Sequence, residues 1–526
     1  MNELSSKTRQ LIEQYTFWQA SLQPKEGVST IHVDEVASRV AAFYEHIRTI
    51  IDWKEEHLMR RAAIIRKLKR RFLDLELNNF AAAGMAEPLV MEFIRGGFFL
   101  NDTIEESKIQ DVQRIIEKYV FIVKNNAETK NQLLEIAACE IEETLAPSLK
   151  EMALIDFMFS YMKERIKVAD GVYTSGLLKR EETDTQIYIA VQQALFKFDS
   201  PIISYNLLKY KFNYWDRPSQ EELLDISKNI STILQNIERD LNHPLGKKFY
   251  AICEKYDTPY LLLGDILSKN QTIQLEDPSA LEGAVRNAYA KRLSLLKTKI
   301  RRAAVYSTAS IFITKILSLV VLEIILAKLF SGHVSFISLA ADVLIPTLLM
   351  AVLIITIKPP SAKNMTLATM ETMKIVYKKE KPDIYEIKSP RKRGVITRLV
   401  LSFIYLLGAV ISFSLIYWAF SALQFPLHSI VINIIFIALI LFAGTAVRGR
   451  SEELTIEDES SGIFMFISDI LLLPIAGVGR WMSNKWKRYN AITAFFNALI
   501  DMPFSGFIEF LERWRYFIKD KKEEMR

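Results

Sequence analysis

Two uncharged stretches of apolar residues constrain this chain more than any other feature of its sequence. Leu399–Phe420 and Leu427–Val447 contain no Asp, Glu, Lys or Arg. Each has about the twenty residues that an α-helix needs to cross the hydrocarbon core of a bilayer. A buried core helix of a soluble protein is the alternative interpretation. We favour two transmembrane helices.

Two further apolar stretches precede them and carry a few charges. Residues 334–357 contain Asp342, and residues 303–330 contain Lys315, Glu323 and Lys328. The segments that separate the stretches within each pair, 331–333 and 421–426, are very short. The sequence therefore predicts a transmembrane domain, 291–450, of two helical hairpins. Its helices are expected at about 303–330, 334–357, 399–420 and 427–447.

Basic residues flank this apolar block on one predicted side only. Residues 291–302 contain six Lys or Arg and no acid, and residues 358–398 contain eleven against four acids. Short basic flanking segments stay in the cytoplasm by the positive-inside rule. The rule predicts a multi-pass protein of the cell membrane with a cytoplasmic loop at 358–398 and with both termini cytoplasmic. Anionic lipid headgroups are the expected partner.

The rest of the composition narrows the class of protein. The first 290 residues are net acidic, which disfavours a nucleic-acid partner. Cys139 and Cys253 are the only cysteines, so neither a disulfide framework nor a zinc motif is indicated. The N-terminus is polar and does not look like a signal peptide. We expect an all-α fold with a cytoplasmic helical domain at 1–290 and a cytoplasmic tail at 451–526.

Local signals place several helices in the N-terminal part. Thr103 with Glu106 and Ser219 with Glu222 fit the capping-box pattern, and Asp277-Pro278 is typical of a helix start. A first helix is predicted from about Val33 to Leu77. Its basic run at 60–71 is either a solvated face or a surface for membranes or acidic partners.

The tail begins with an acidic linker and then an apolar segment at 463–479. Asp469, Pro474, Gly477 and Gly479 argue against a simple fifth crossing, so an interfacial or re-entrant segment is predicted. Basic and aromatic residues alternate beyond it, as is typical of amphipathic helices at a membrane surface. The expected membrane-surface residues are Arg480, Trp481, Trp486, Arg488, Arg513, Trp514 and Arg515. A soluble helical hairpin docked on the N-terminal domain is the alternative.

Motifs for catalysis are lacking, so we expect no enzyme, no metal and no cofactor. Polar residues inside a membrane are costly and often functional, which singles out Lys315, Asp342, Glu323 and Asn433. Counting 1.5 Å per residue puts Lys315 and Asp342 at similar depth on neighbouring helices, so an ion pair between them is predicted.

Two functions fit this organisation. The first is a membrane-anchored interaction or scaffold protein, with a protein partner or a homo-oligomer. The alternative is a small transporter or channel subunit that uses the polar residues near the bilayer midplane. A lipid-modifying enzyme comes third, resting only on the character of the tail.

Overall fold

The structure is a computed structural model of the 526-residue chain. It describes residues 4–23, 27–33, 56–78, 84–124, 126–269, 275, 277–320, 336–355, 357, 359–377, 383–389, 394–451, 454–456, 463–489, 510, 514, 517–518 and 521. The chain divides into two compact units. Unit 1 comprises Met1–Ser5, Thr258–Glu380 and Ser389–Ile492, and unit 2 comprises Ser6–Asp257, Lys381–Lys388 and Thr493–Arg526. The predicted boundaries at 290 and 450 refer to a membrane and stay predictions.

The all-α prediction is confirmed, since helices dominate the part of the chain that the structure describes. Those that lie in unit 2 are α1 (Ser6–Ser21), α2 (Glu56–Asn78), α3 (Ala86–Arg95), α4 (Ser107–Lys124), α5 (Lys130–Leu145), α6 (Leu149–Arg165), α7 (Asp170–Thr174), α8 (Glu182–Phe196), α9 (Ser200–Lys211), α10 (Gln220–Leu241) and α11 (Gly246–Lys255). A 3₁₀ turn at Ala127–Thr129 precedes α5.

The predicted helix starts hold where a short polar side chain reaches the first turn. The Ser219 hydroxyl accepts from the Glu222 amide, and the Glu222 carboxylate accepts from the Ser219 amide, which completes the capping box of α10. The helix start predicted at Thr103 is wrong. The Thr103 hydroxyl donates to the Leu100 carbonyl, and α4 begins only at Ser107. The capping pattern there marks a turn.

Two other sequence expectations need correction in unit 2. Val33 is not helical. Its backbone amide donates to Asn101 Oδ1, and its backbone carbonyl accepts from Asn101 Nδ2. Two three-residue strands, β1 (Ile166–Val168) and β2 (Tyr385–Ile387), form a small parallel sheet that the sequence did not indicate. Most of the predicted first helix before α2 lies outside the described residues.

Four basic residues of the run at 60–71 form ion pairs with acidic residues of unit 2. Arg60 pairs with Glu142, and Arg61 pairs with Asp199. Farther along α2, Lys67 and Arg71 both contact the carboxylate of Glu92, together keeping its pKa low against the opposing effect of burial. These ion pairs favour a packing role for this face of α2 over a surface for membranes.

Unit 1 is built from long helices. They are α12 (Asp257–Leu267, whose first residue belongs to unit 2), α13 (Pro278–Ser318), α14 (Phe336–Ile355), α15 (Ala362–Tyr377), α16 (Val395–Ala422), α17 (Leu427–Ser451) and α18 (Ile463–Tyr489). The expected start of α13 is present: Pro278 occupies its first turn and the Asp277 carboxylate accepts from the Ser279 amide. At 41 residues α13 is about 60 Å long and runs unbroken into the apolar part of the sequence.

Helix α17 packs against α13, α14, α16 and α18. The predicted hairpin of α16 and α17 is present, and its turn is closed by an amide bond from Phe425 to the Phe420 carbonyl. Gln424 adopts a left-handed conformation there, with φ 58°, and the rings of Phe420 and Phe425 meet edge to face. The other predicted turn, 331–333, lies outside the described residues.

Two described helices are long and apolar enough to cross a membrane, Val395–Ala422 and Leu427–Gly449. They correspond to the third and fourth predicted crossings. The apolar part of α14, Leu339–Ile355, is shorter, and the first predicted crossing continues beyond the described end of α13. The four-helix transmembrane domain is therefore supported for two of its helices.

The apolar segment 463–479 lies in helix α18, and whether it is interfacial or re-entrant stays a prediction. It is one helix that continues through Pro474 and both glycines. A Cβ at Gly479 would collide with the Ala438 carbonyl of α17, and one at Gly408 of α16 would lie 2.8 Å from the Ile470 carbonyl. Gly479 therefore permits close helix packing and does not break the helix.

Candidate functional site

A polar cluster lies inside the otherwise apolar packing of unit 1. Lys315 comes from α13, Asp342 from α14, and Ser429 and Asn433 from α17. Ser429 and Asn433 are four residues apart, which places them on one face of α17. Three helices thus supply one cationic, one anionic and two neutral polar side chains to the same place.

The charged members of the cluster are in direct contact. Lys315 Nζ lies 2.7 Å from Asp342 Oδ2, and the predicted contact between these side chains is therefore present. The side chains are 0% and 2% exposed. The ammonium also lies 4.9 Å from the centre of the Phe436 ring, which offers the electron-rich face that cations prefer.

The other carboxylate oxygen of Asp342 is held by α17. Asp342 Oδ1 accepts a hydrogen bond from Asn433 Nδ2 and another from the Ser429 hydroxyl, at 3.3 Å. Asn433 Nδ2 also donates to the Ser429 carbonyl, at 3.0 Å. The carboxylate is therefore fixed by a cation on one oxygen and by neutral donors on the other.

Burial makes this arrangement costly to break. Removing one partner of a buried ion pair typically costs about 3–5 kcal/mol, because the remaining charge is left without compensation. Replacing both by apolar residues is often neutral or stabilising. The pair therefore joins α13 to α14, and the hydrogen bonds of Asp342 to Ser429 and Asn433 add α17 to the same contact.

Asn433 carries a polar atom that has neither a hydrogen bond nor an ion pair among the described residues. Asn433 is fully buried, yet its Oδ1 has no hydrogen-bond partner among the described residues. The hydroxyl of Ser318, one turn beyond Lys315 on α13, is likewise buried and unpartnered within the described parts. Such groups are rare in native proteins, and a bound water or ion is one way in which they are satisfied.

The other residues predicted from the sequence have no described contact with this cluster. Glu323, Arg513 and Arg515 lie outside the described residues. Arg480 and Trp481 lie on the last turns of α18, where the indole is 62% exposed, and the ring of Trp514 is exposed as well. Trp486 and Arg488 belong to α18, but their side chains are outside the description. The structure thus brings together Lys315, Asp342 and Asn433.

Ser429 and Phe436 are the members that sequence reasoning missed. Ser429 lies one turn before Asn433 in an uncharged segment, and that spacing alone could have indicated it. Phe436 carries no distinguishing signal among the apolar residues of α17.

Unit 2 holds a second buried polar network. Lys118 Nζ lies 2.6 Å from Glu140 Oε1 and 2.8 Å from the Trp215 carbonyl, and the Tyr119 hydroxyl donates to Glu140 Oε2. Burial raises the pKa of Glu140, and burial beside this carboxylate raises that of Tyr119. Every charge has a partner, so the network suits a structural role. The described residues hold no group of three or more His, Cys, Asp and Glu suited to a metal ion.

Comparison of the chain with protein-family models, with curated proteins and with solved structures finds no match. The geometry of the cluster and the apolar character of the helices that hold it are the features that bear on function.

Proposed function

We propose that this chain is a multi-pass membrane protein and that unit 1 is a small transporter or channel subunit. The observation that carries the proposal is the buried cluster of Lys315, Asp342 and Asn433 within apolar helices. Inside a membrane an unpaired Lys or Asp costs roughly 2.5–3.5 kcal/mol on insertion scales, so charged residues there commonly mark ion or substrate pathways.

The surface of α16 supports the membrane part of the proposal. Most of its 28 residues are apolar, yet only Gly408, Ser412 and Phe420 are buried. A core helix of a soluble protein would bury such a surface, whereas lipid covers it without a protein partner. By the charge rule, α16 would run outward from the basic segment before it and α17 would return, with both termini in the cytoplasm.

The tail complements this arrangement as a membrane-surface element. Exposed Trp481 next to Arg480 fits the headgroup zone, where aromatic rings and basic side chains are favoured. Vesicle binding by a peptide of residues 480–522, weaker at high salt, would test this role.

The test is a flux assay with the full chain in proteoliposomes. The probes are uptake of radiolabelled sodium, uptake of radiolabelled rubidium, and acidification of the vesicle interior reported by a trapped dye. At least one of these signals should exceed that of empty vesicles. Asp342→Asn should reduce the uptake, whereas Ser412→Ala, which removes a buried hydroxyl that donates to the Leu471 carbonyl outside the cluster, should leave it unchanged.

Flux equal to that of empty vesicles for every probe would contradict the transport proposal. The interaction or scaffold role would then be the proposal that remains. It rests on the size of the helical unit 2, and cross-linking of the full chain in native membranes would test it by showing a reproducible protein partner or a homo-oligomer.

A further inference from the structure

We propose that the cluster is an exchangeable site for Na⁺, in which the Lys315 ammonium is a tethered cation that a free sodium ion displaces from Asp342. This inference rests on the proposed transport function and names the ion for which the site is built.

The atoms around the Asp342 carboxylate suit a hard cation. Asp342 Oδ1 and Oδ2, the Ser429 hydroxyl and the Asn433 side chain surround one small region, and the Lys315 ammonium occupies its cationic position. Hard cations are bound by oxygen atoms of carboxylates, amides, hydroxyls and carbonyls. Apart from the amide and ammonium nitrogens, the polar atoms of the cluster belong to this class.

The unsatisfied side-chain oxygen of Asn433 could serve the same cation as a ligand. With the ammonium in place, Asn433 presents its Nδ2 to the carboxylate and its buried Oδ1 has no partner among the described residues. A half-turn of the amide would point Oδ1 toward the same region. That orientation is repulsive beside a bare carboxylate, but favourable once a cation lies between the two oxygens.

This feature distinguishes Na⁺ from a proton. A proton on Asp342 needs only the carboxylate, whereas a desolvated alkali ion needs several neutral oxygens to replace its hydration shell. Asn433 Oδ1 and the Ser429 hydroxyl are such neutral oxygens, and both belong to side chains that contact Asp342. The structure therefore favours the metal cation.

Charge balance dictates how the exchange works. Two cations against one carboxylate would leave a net positive charge in a desolvated site, which is costly. Binding of Na⁺ therefore requires the ammonium to leave Asp342. Lys315 is in this sense a competing ligand at high effective concentration, and its removal should raise the apparent affinity for Na⁺ on the order of tenfold or more.

The test is thermal unfolding of the full chain in detergent, in NaCl and in choline chloride of equal ionic strength. A ligand that binds only the folded state raises the midpoint with its concentration. We expect Lys315→Met to unfold at lower temperature than the wild type in choline and to recover in Na⁺, at lower concentrations than the wild type responds. Lys315→Gln serves as a second variant if Lys315→Met does not fold.

Matched variants separate the site from general salt effects. Asp342→Asn and Asn433→Ala should abolish the Na⁺-specific shift, and Ser412→Ala should keep it. Equal midpoints of both Lys315 variants in the two salts would overturn the inference, as would recovery by low pH without any effect of Na⁺. Neither result bears on proteoliposome flux, so the proposed function would be judged separately.

Discussion

At the scale of single residues, the pair of Lys315 and Asp342 makes a sharp prediction about stability. Lys315→Met and Asp342→Leu should each lower the free energy of unfolding by about 3–5 kcal/mol in choline chloride, because each leaves a buried charge unpaired. The double variant should recover most of the loss, since no charge remains. Thermal or denaturant unfolding of the full chain in detergent measures both effects.

The control for this cycle is Lys118→Met in the other buried network, combined with Asp342→Leu. Lys118 contacts Glu140 and not Asp342, so the two losses should add. If the double variant of Lys315 and Asp342 is no more stable than the less stable of the two single variants, the two side chains are not energetically coupled.

Glu142 provides a prediction about pH in unit 2. Burial raises the pKa of Glu142 to about 7, although Arg60 Nε lies 3.3 Å from its carboxylate. The folded state therefore binds this proton more tightly than the unfolded chain does, and the associated stability is present below about pH 4.5 and lost as the pH rises through about 7. Between these pH values, titration of Glu142 should lower the free energy of unfolding by about 3 kcal/mol at most.

Glu142→Gln should flatten the dependence of the unfolding midpoint on pH between about 5 and 7, because the amide does not titrate. Some slope should remain, since burial also raises the pKa of Glu140 and Glu143. Glu151→Gln, a partly exposed change on α6, is the comparison. An unchanged slope in Glu142→Gln would mean that this carboxyl titrates normally in the folded protein.

At the scale of helices, the glycines of α17 and α18 offer a matched pair of substitutions. Gly479→Ala should destabilise by about 1–3 kcal/mol, because its Cβ would collide with the Ala438 carbonyl, a backbone atom that cannot move aside cheaply. Gly449→Ala, on α17, meets no atom within 4 Å and should stabilise by about 0.4–1 kcal/mol.

Unfolding midpoints of the two variants in detergent measure the difference. Similar midpoints would show that α18 does not approach α17 closely in solution. The apolar segment 463–479 would then be better described by the interfacial or re-entrant arrangement expected from its sequence.

These elements also show which parts of the fold can be predicted from sequence. The capping box at Ser219 and the start at Asp277 depend on contacts within one turn, so their signals are local. The close packing at Gly479 depends on Ala438, a residue of another helix, so no local pattern in the sequence indicates it. The paired strands β1 and β2 have only three residues each and lie far apart in sequence, so neither carries a detectable pattern.

Part of the candidate site could also be predicted from local features of the sequence. Lys315 and Asp342 are conspicuous as charges in apolar segments, and the rise per residue of a helix was enough to place them at matching depth. The sequence indicated Asn433 only as a polar residue in an uncharged stretch. Its particular contacts to Asp342 and Ser429 depend on how α17 rotates against its neighbours, which no local pattern specifies.

At the scale of the whole molecule, the distribution of charge predicts the topology. Basic residues concentrate at 291–302 and 358–398, whereas the turn at 421–426 contains no charge. Keeping both basic segments in the cytoplasm requires an even number of crossings between them, and the turn of α16 and α17 then lies outside. The orientation of α18 is the part that this rule leaves to experiment, since ten Lys or Arg follow in residues 480–526.

Single cysteines read out this topology in intact cells with a reagent that cannot cross the membrane. The native Cys139 and Cys253 are buried, and burial raises the pKa of both thiols, so they should contribute little background. Cysteines at Ser331 and Ser421 should react from outside. Those at Ser389 and Ser483 should react only after permeabilisation, which controls for access. Reaction of the Ser483 variant from outside would make α18 a fifth crossing and would place the basic tail on the outer surface, against the charge rule.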